Sequence, residues 1–273
     1  MCADFLMRQS NHSSGYGRRM ESIRASSPAC NMLQRQHMNA IRRSRSSTLS
    51  AVREAIISCE ACPRLRTYCT DVGQTRKAAF KSEVYWARPV PGFGDANARV
   101  LILGLAPAAH GANRTGRVFT GDGVGASGDF LMAALKRAGF ANISTSQRID
   151  DGLRLTDAYI AAAVRCAPPA NKPLPEEIAR CLPHLADEVA HLPRLQVVVA
   201  LGKIAWDAWL KLLVASGTEL PRPRPAFAHG AKWAHDGLTL VGAYHPSRQN
   251  TNTGVLTAQM YDAVFRDVVG CLR

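Results

Sequence analysis

The sequence predicts an α/β protein, a three-layer α/β/α arrangement around a central, mostly parallel four-stranded sheet. Two observations carry this. Four short apolar runs alternate with stretches of helical spacing, the pattern of strand–helix–strand units. The chain is also large and apolar enough for a sizeable core, with 273 residues and 47% hydrophobic side chains. Residues 49–58 read as a short helix leading into Cys59. Residues 99–105 form a continuous apolar run after a turn, the mark of a strand buried on both faces. Residues 129–138 place Phe130, Leu131, Ala134 and Leu135 on one helical face. Residues 158–164 are the second strand. Residues 175–191 are a helix opened by Pro175, Glu176 and Glu177, as a helix start should be. Residues 195–201 are the third strand, followed by Gly202 and a helix through Leu213. Residues 239–244 are the fourth strand, ending at His245, and residues 255–269 close the chain as a helix. Sites in such sheets form beyond the carboxyl ends of the strands. Three polar clusters fall there, at residues 107–122, 166–172 and 245–252.

Residues 1–48 stand apart from the single domain expected over residues 49–273. The first fifty residues hold ten serines, eight arginines and two acids, Asp4 and Glu21. Such a segment buries too little apolar surface to offset its ordering entropy, and disorder is expected. It is read as a solvated tail, an organellar transit peptide, or sequence ahead of a later start at Met7, Met20, Met32 or Met38. The whole chain has 34 Lys+Arg against 21 Asp+Glu, a net charge of +13, which fits a polyanionic partner. The apolar runs are far shorter than the ~18 residues of a membrane helix, so no membrane role is expected. With no apolar run of a signal peptide after the start, a reducing, cytoplasmic setting is expected for the eight cysteines.

Clustered cysteines in that setting point to metal. Cys59 and Cys62 form a C-x2-C pair, Cys166 and Cys181 have fourteen residues between them, and Cys69 falls between the pairs. Four thiolates suit zinc or an iron–sulfur cluster, and the spacing does not choose between them or exclude ordinary buried cysteines. The run 121–128 contains a literal G-x-G-x-x-G at Gly123, Gly125 and Gly128 before a helix. A dinucleotide fingerprint needs those glycines directly after the first strand, so a loop leading into a helix is the simpler reading. His245 stands where a strand ends, ahead of a loop with Ser247, Arg248, Asn250, Thr251 and Asn252, a set suited to phosphate contacts.

Together these segments resemble the family 5 (B-type) uracil-DNA glycosylases. Residues 104–122 (GLAPAAHGANRTGRVFTGD) look like the first motif of that family, 164–173 (VRCAPPANKP) like the middle motif, and 245–252 (HPSRQNTN) like the second catalytic motif. The resemblance covers about residues 55–270, in the right order. It implies an α/β/α fold and a [4Fe-4S] cluster on Cys59, Cys62, Cys166 and Cys181, leaving Cys69 out. Other families carry an acid or amide at the position of Ala106, and family 4 places a uracil-binding asparagine at that of Ala161; both departures are typical of family 5.

The implied reaction needs a base held outside the duplex, negative charge stabilised on it, and water delivered to the sugar. Phe119 supplies a stacking face, the position the resemblance puts under the base. Asp122, the one carboxylate of the long motif, is expected to orient water; a helix-capping role is the alternative. His245 is expected to donate to the base, and Asn171 to match its imide edge. Backbone around Ala106, Pro107 and Ala108 is expected against the base. Ser247, Arg248, Asn250, Asn252, Arg114, Arg117 and Lys172 are expected at phosphates. The expected partner is DNA containing uracil or other damaged bases, met by a monomer that is nucleoid-associated in a prokaryote. Two other classes stay open here: a non-catalytic metal-cluster protein that binds nucleic acid, and a nucleotide-cofactor oxidoreductase using the glycine run.

Overall fold

The structure, a computed structural model, describes residues 48–272 apart from Asp122 and Val124. The extension expected over residues 1–48 therefore lies outside the described residues up to Thr48. Thr48 itself caps the first helix, its hydroxyl accepting from the Ala51 amide at 3.1 Å.

Among the described residues the sheet has six strands: β1 (Phe93–Gly94), β2 (Val100–Gly104), β3 (Ala158–Ala162), β4 (Val197–Leu201), β5 (Lys232–His235) and β6 (Leu238–Ala243). Their order is β1-β3-β2-β4-β6-β5. The four inner strands β3, β2, β4 and β6 are parallel and are the four that the apolar runs predict. The two additions are antiparallel edge strands, β1 and β5. Neither is a continuous apolar run. β1 has two residues, and β5 alternates exposed and half-buried positions because one of its two faces meets solvent.

The helices are α1 (Leu49–Ile57), α2 (Pro63–Thr75), α3 (Ala112–Thr115), α4 (Ser127–Arg137), α5 (Pro175–Ala190), α6 (Lys203–Ala215), α7 (Arg248–Asn252) and α8 (Ala258–Cys271). The last starts three residues later than its apolar pattern, because Thr257 caps it by accepting from the Met260 amide. Strand residues alternate between two cores. On one face Val100, Ile102, Ile160, Val199 and Val241 pack under Leu131, Leu135, Tyr261 and Phe265 of α4 and α8. On the other, Leu101, Leu103, Tyr159, Val198 and Leu240 pack under Leu185, Val189, Trp206 and Trp209 of α5 and α6. A third, smaller core joins Cys62, Leu65 and Cys69 to Val164, Cys166, Ile178 and Cys181.

β2, first of the parallel strands in the chain, lies in the middle of them. The chain moves from β2 to β3 on one side, then crosses back to β4 on the other. That reversal leaves a crevice at the carboxyl ends, the position where open α/β sheets bind ligands.

Leu131 is fully buried between α4 and the sheet. Leu131→Ala is expected to lower the unfolding free energy by about 2–5 kcal/mol. Urea denaturation checks this; an unchanged midpoint would mean that α4 does not seal that face.

Candidate active site

A cavity of about 440 Å³ opens at the carboxyl ends of the sheet. Three separated segments line it. Ala106, Ala108, Phe119 and Ser127 follow β2, Asn171 follows β3, and His245, Ser247 and Arg248 follow β6. The first two segments are fastened together past the strands. Ala163 N–H donates to the Gly104 carbonyl at 2.9 Å, and Val164 N–H to the Leu105 carbonyl at 2.8 Å.

Phe119 sits in the left-handed region at φ 56°, rare for a bulky residue. Two glycines permit this. A Cβ on Gly104 would lie 2.8 Å from the Phe119 ring, and one on Gly128 would collide with the Phe119 carbonyl. The second half of the glycine run thus seats Phe119, which accounts for Gly128 without a dinucleotide. Across the cavity the His245 ring lies 6.0 Å from Phe119, centroid to centroid, at 31°. Among the described residues neither His245 ring nitrogen has a hydrogen-bond partner. Its backbone is tightly held, since the carbonyl accepts from Ser247 N–H and from Asn250 Nδ2, each at 2.8 Å.

Asn171 and Ala170 are also left-handed, at φ 57° and 51°. Asparagine tolerates this conformation and alanine pays more for it, so the bend after Pro168 and Pro169 holds local strain that turns Asn171 toward the cavity. Backbone N–H groups of Ala106 and Ala108 make no hydrogen bond among the described residues, whereas the Ala108 carbonyl accepts from Gly111 and Asn113. Pro107, between them in the chain, is buried and does not line the cavity.

Several expected residues are placed elsewhere. Arg114 is buried, donating to the His110 and Gly121 carbonyls and to Glu83, with its guanidinium 4.0 Å over Phe80. Arg117 is buried on Asp151 at 2.6 Å and Ser146 at 3.0 Å. Both cations brace the long loop from inside and do not face a phosphate. Asn250 likewise holds the His245 loop, and the Ser247 hydroxyl caps α7 by accepting from Asn250 N–H at 3.2 Å. Arg248 lines the cavity and is exposed, Lys172 is exposed next to Asn171, and among the described residues neither makes an ion pair; Asn252 is exposed at the end of α7. Asp122 lies outside the described residues. Ser127, which sequence reasoning passed over, lines the cavity as the first residue of α4; the break from glycine run to helix marks its place.

Cys59, Cys62, Cys166 and Cys181 line a second, small cavity together with Arg66, Arg165 and His184. Arg64 of α2 grips Glu177 of α5 by two hydrogen bonds of 2.7 Å, which draws the C-x2-C turn toward Cys181. Burial and the neighbouring Cys166 raise the Cys62 pKa, a hydrogen bond with Cys69 and burial raise that of Cys166, and burial pushes Cys181 up to about 12. The Cys69 thiol, beside Cys166, also points to the Ala167 carbonyl at 3.6 Å. Among the described residues no three His, Cys, Asp or Glu side chains converge on one ion position. A four-iron cluster does not ask for that, because each of its thiolates binds a different iron.

The class is now defined: an α/β protein with one aromatic-walled, polar-rimmed cavity at the reversal point of its parallel sheet. Residues 91–269 match the family model of the uracil DNA glycosylase superfamily, and the chain belongs to that superfamily. The type-5 uracil-DNA glycosylase of Thermus thermophilus is 50% identical over 215 residues, covering 78% of this chain and 94% of that protein. The type-5 uracil-DNA glycosylase of Mycobacterium tuberculosis is 50% identical over 216 residues, 78% of each chain. The type-4 uracil-DNA glycosylase of Pyrobaculum aerophilum is more distant, 34% identical over 201 residues, with 73% of this chain and 83% of that protein covered. The family 5 resemblance of the three motifs is thereby borne out. No helix among the described residues is long and apolar enough to cross a membrane.

Burial pushes the His245 pKa down from the ordinary 6.5 to about 4. Between these values the unfolded chain binds a proton that the folded chain refuses, so stability falls as pH drops through that window. Above it both states are neutral and the contribution is flat. His184 and His229 are depressed by burial in the same direction. His245→Asn is expected to reduce, without abolishing, the slope of Tm against pH across that window in thermal melts. An unchanged slope would contradict the burial of a neutral His245.

Proposed function

We propose that the chain is a monofunctional DNA glycosylase that hydrolyses the N-glycosidic bond of uracil and other deaminated or damaged bases in DNA, initiating base excision repair. One observation carries this reading: three distant segments bring Ala106, Ala108, Phe119, Asn171, His245, Ser247 and Arg248 around one cavity. The likeness to type-5 uracil-DNA glycosylases supports the substrate class.

Cleavage leaves positive charge on the sugar and negative charge on the departing base. The base leaves the duplex stack and lies on Phe119, whose sequence-tolerant aromatic face holds it. His245 is neutral at physiological pH, so it offers the base carbonyl a hydrogen bond where negative charge grows rather than a full proton. Backbone N–H groups of Ala106 and Ala108 add donors, and Asn171 supplies the donor and acceptor that an imide edge needs. Asp122 orients water and stabilises the sugar cation. The C1′–N bond breaks, water oxygen bonds to C1′, and Asp122 takes the proton that water gives up. Arg248, Lys172, Ser247 and Asn252 meet phosphates at the rim, with Asn250 acting through the His245 loop.

Cys59, Cys62, Cys166 and Cys181 hold a [4Fe-4S] cluster in this reading, and it supplies cross-linking of the amino-terminal segment to the core rather than chemistry at the base. Residues 49–273 form one catalytic domain, and residues 1–48 are a basic extension dispensable for excision. The protein acts as a monomer in the cytoplasm, on nucleoid DNA in a prokaryote. The apolar Ala106 leaves no fixed polar demand in the pocket, and an unpaired buried polar group is what rejects a wrong base. Hypoxanthine and some modified pyrimidines are therefore substrates beside uracil.

Single-turnover assays on oligonucleotides with one lesion test this. Intact protein is expected to leave an abasic site at uracil and at hypoxanthine. Asp122→Ala is expected to slow excision about 10²–10⁴-fold, and His245→Ala about 10²–10³-fold. No abasic site from any lesion would favour a non-catalytic binding protein. Strict uracil specificity would remove the argument from Ala106, and near wild-type turnover by Asp122→Ala would remove its role with water.

A further inference from the structure

Among the described residues five buried side-chain polar atoms lack a hydrogen-bond partner: Arg66 Nη1, Asn113 Oδ1, Arg117 Nε, Arg165 Nε and Arg165 Nη1. Three of the five belong to two arginines, and both arginines line the cavity of Cys59, Cys62, Cys166 and Cys181. A buried donor without an acceptor is costly, more so on a charged group, and such groups call for an explanation.

The protein side of each guanidinium is already fixed. Arg165 is 1% exposed. Its Nη2 donates to Glu188 Oε2 at 2.6 Å, and Glu188 Oε1 accepts from Gly92 N–H at 2.8 Å and from the Tyr159 hydroxyl at 3.1 Å. That leaves Nε and Nη1 of Arg165 with no acceptor among the described residues. Arg66 donates through Nε to Glu60 at 3.2 Å and through Nη2 to the Ala87 carbonyl at 3.0 Å, and again one nitrogen is left over. The backbone joins the pattern, as Arg165 N–H donates to Cys181 Sγ at 3.3 Å. The two cations come from different parts of the chain, α2 and the segment after β3. What they share is the cysteine cavity.

We propose that Arg165 and Arg66 donate hydrogen bonds to sulfur atoms of the iron–sulfur cluster and that this pair sets its reduction potential. The inference rests on the cluster reading given above. An iron–sulfur cube held by four thiolates is anionic, its sulfides accept hydrogen bonds, and adding an electron makes it more negative. Donors and positive charge beside it therefore favour the reduced form and raise the potential. Glu188 is a positioning residue: it holds Arg165 by one nitrogen and balances its charge when the cluster is absent.

The test uses full-length protein purified anaerobically, with iron and sulfide counted. The variants are Arg66→Met, Arg66→Lys, and Arg165→Met combined with Glu188→Gln, so that no lone carboxylate stays in the core. Removing one donor by Arg66→Met is expected to shift the one-electron equilibrium about tenfold toward the oxidised cluster, a fall of about 59 mV in midpoint potential under chemical titration. Arg66→Lys keeps part of the shift. Resonance Raman bands of the Fe–S bonds in the wild type are expected to move on transfer to D2O, and to move less in Arg66→Met and in the double variant. A variant that loses iron while keeping its circular dichroism also counts for the proposal. Unchanged potential and bands in iron-replete variants would overturn it, as would a site filled by zinc. Uracil excision measured on the same samples separates the two readings, because Arg66→Met touches no group of the base cavity and is expected to excise normally.

Discussion

Parallel pairing of β2, β3, β4 and β6 is the constraint on which the site depends. Parallel strands require crossovers, so all four carboxyl ends emerge along one edge of the sheet. The chain starts in the middle, at β2, moves out to β3 and returns to β4. The loops after β2 and β3 are thereby neighbours, and the loop after β6 arrives from the other side. Residues more than a hundred positions apart meet without a flexible arm between them. The layers of α4 and α8 on one face, and α5 and α6 on the other, bury the strands on both sides and keep this edge rigid.

Within that frame the reactive geometry comes from backbone conformations that most residues avoid. Phe119 and Asn171 both have positive φ, and Ala170 joins them. Such conformations persist only where neighbours over-determine them. Gly104 and Gly128 leave room for Phe119, and Arg114 and Arg117 brace the long loop from inside. His245 is positioned by its own loop, through Ser247 and Asn250 on its carbonyl. Among the described residues its ring nitrogens have no hydrogen-bond partner, and burial keeps the ring neutral.

The four inner strands were legible because a strand buried on both faces must be apolar throughout, and helices of one apolar face show their spacing. Helix α2 was missed, although Pro63 at its first position and Leu65, Cys69 and Val72 on one face mark it. Its polar remainder hides that stripe, next to a cysteine pair whose spacing suits metal. The β5–β6 hairpin was missed too, yet Asp236 and Gly237, both at positive φ, are the turn dipeptide such a hairpin favours. The cavity residues Phe119, Asn171 and His245 were found through motifs. Arg114 and Arg117 were expected at phosphates because a sequence shows a charge but not the carboxylate that meets it. Glu83 and Asp151 lie 31 and 34 positions from their partners, beyond any local pattern.

The cysteine cavity extends the same logic toward the amino terminus. Cys166 stands five residues before Asn171, so whatever the thiols hold also steadies the bend that presents Asn171. A crystal structure of the protein bound to duplex DNA carrying 2′-fluoro-deoxyuridine, which resists cleavage, tests the role of the base cavity. The uracil is expected to be extruded from the duplex and stacked on Phe119, with a carbonyl oxygen within hydrogen-bond distance of His245 and its imide edge on Asn171. A uracil still paired in the duplex, or seated in the apolar cavity lined by Trp209 and Trp233 near the amino ends of β4 and β6, would contradict it.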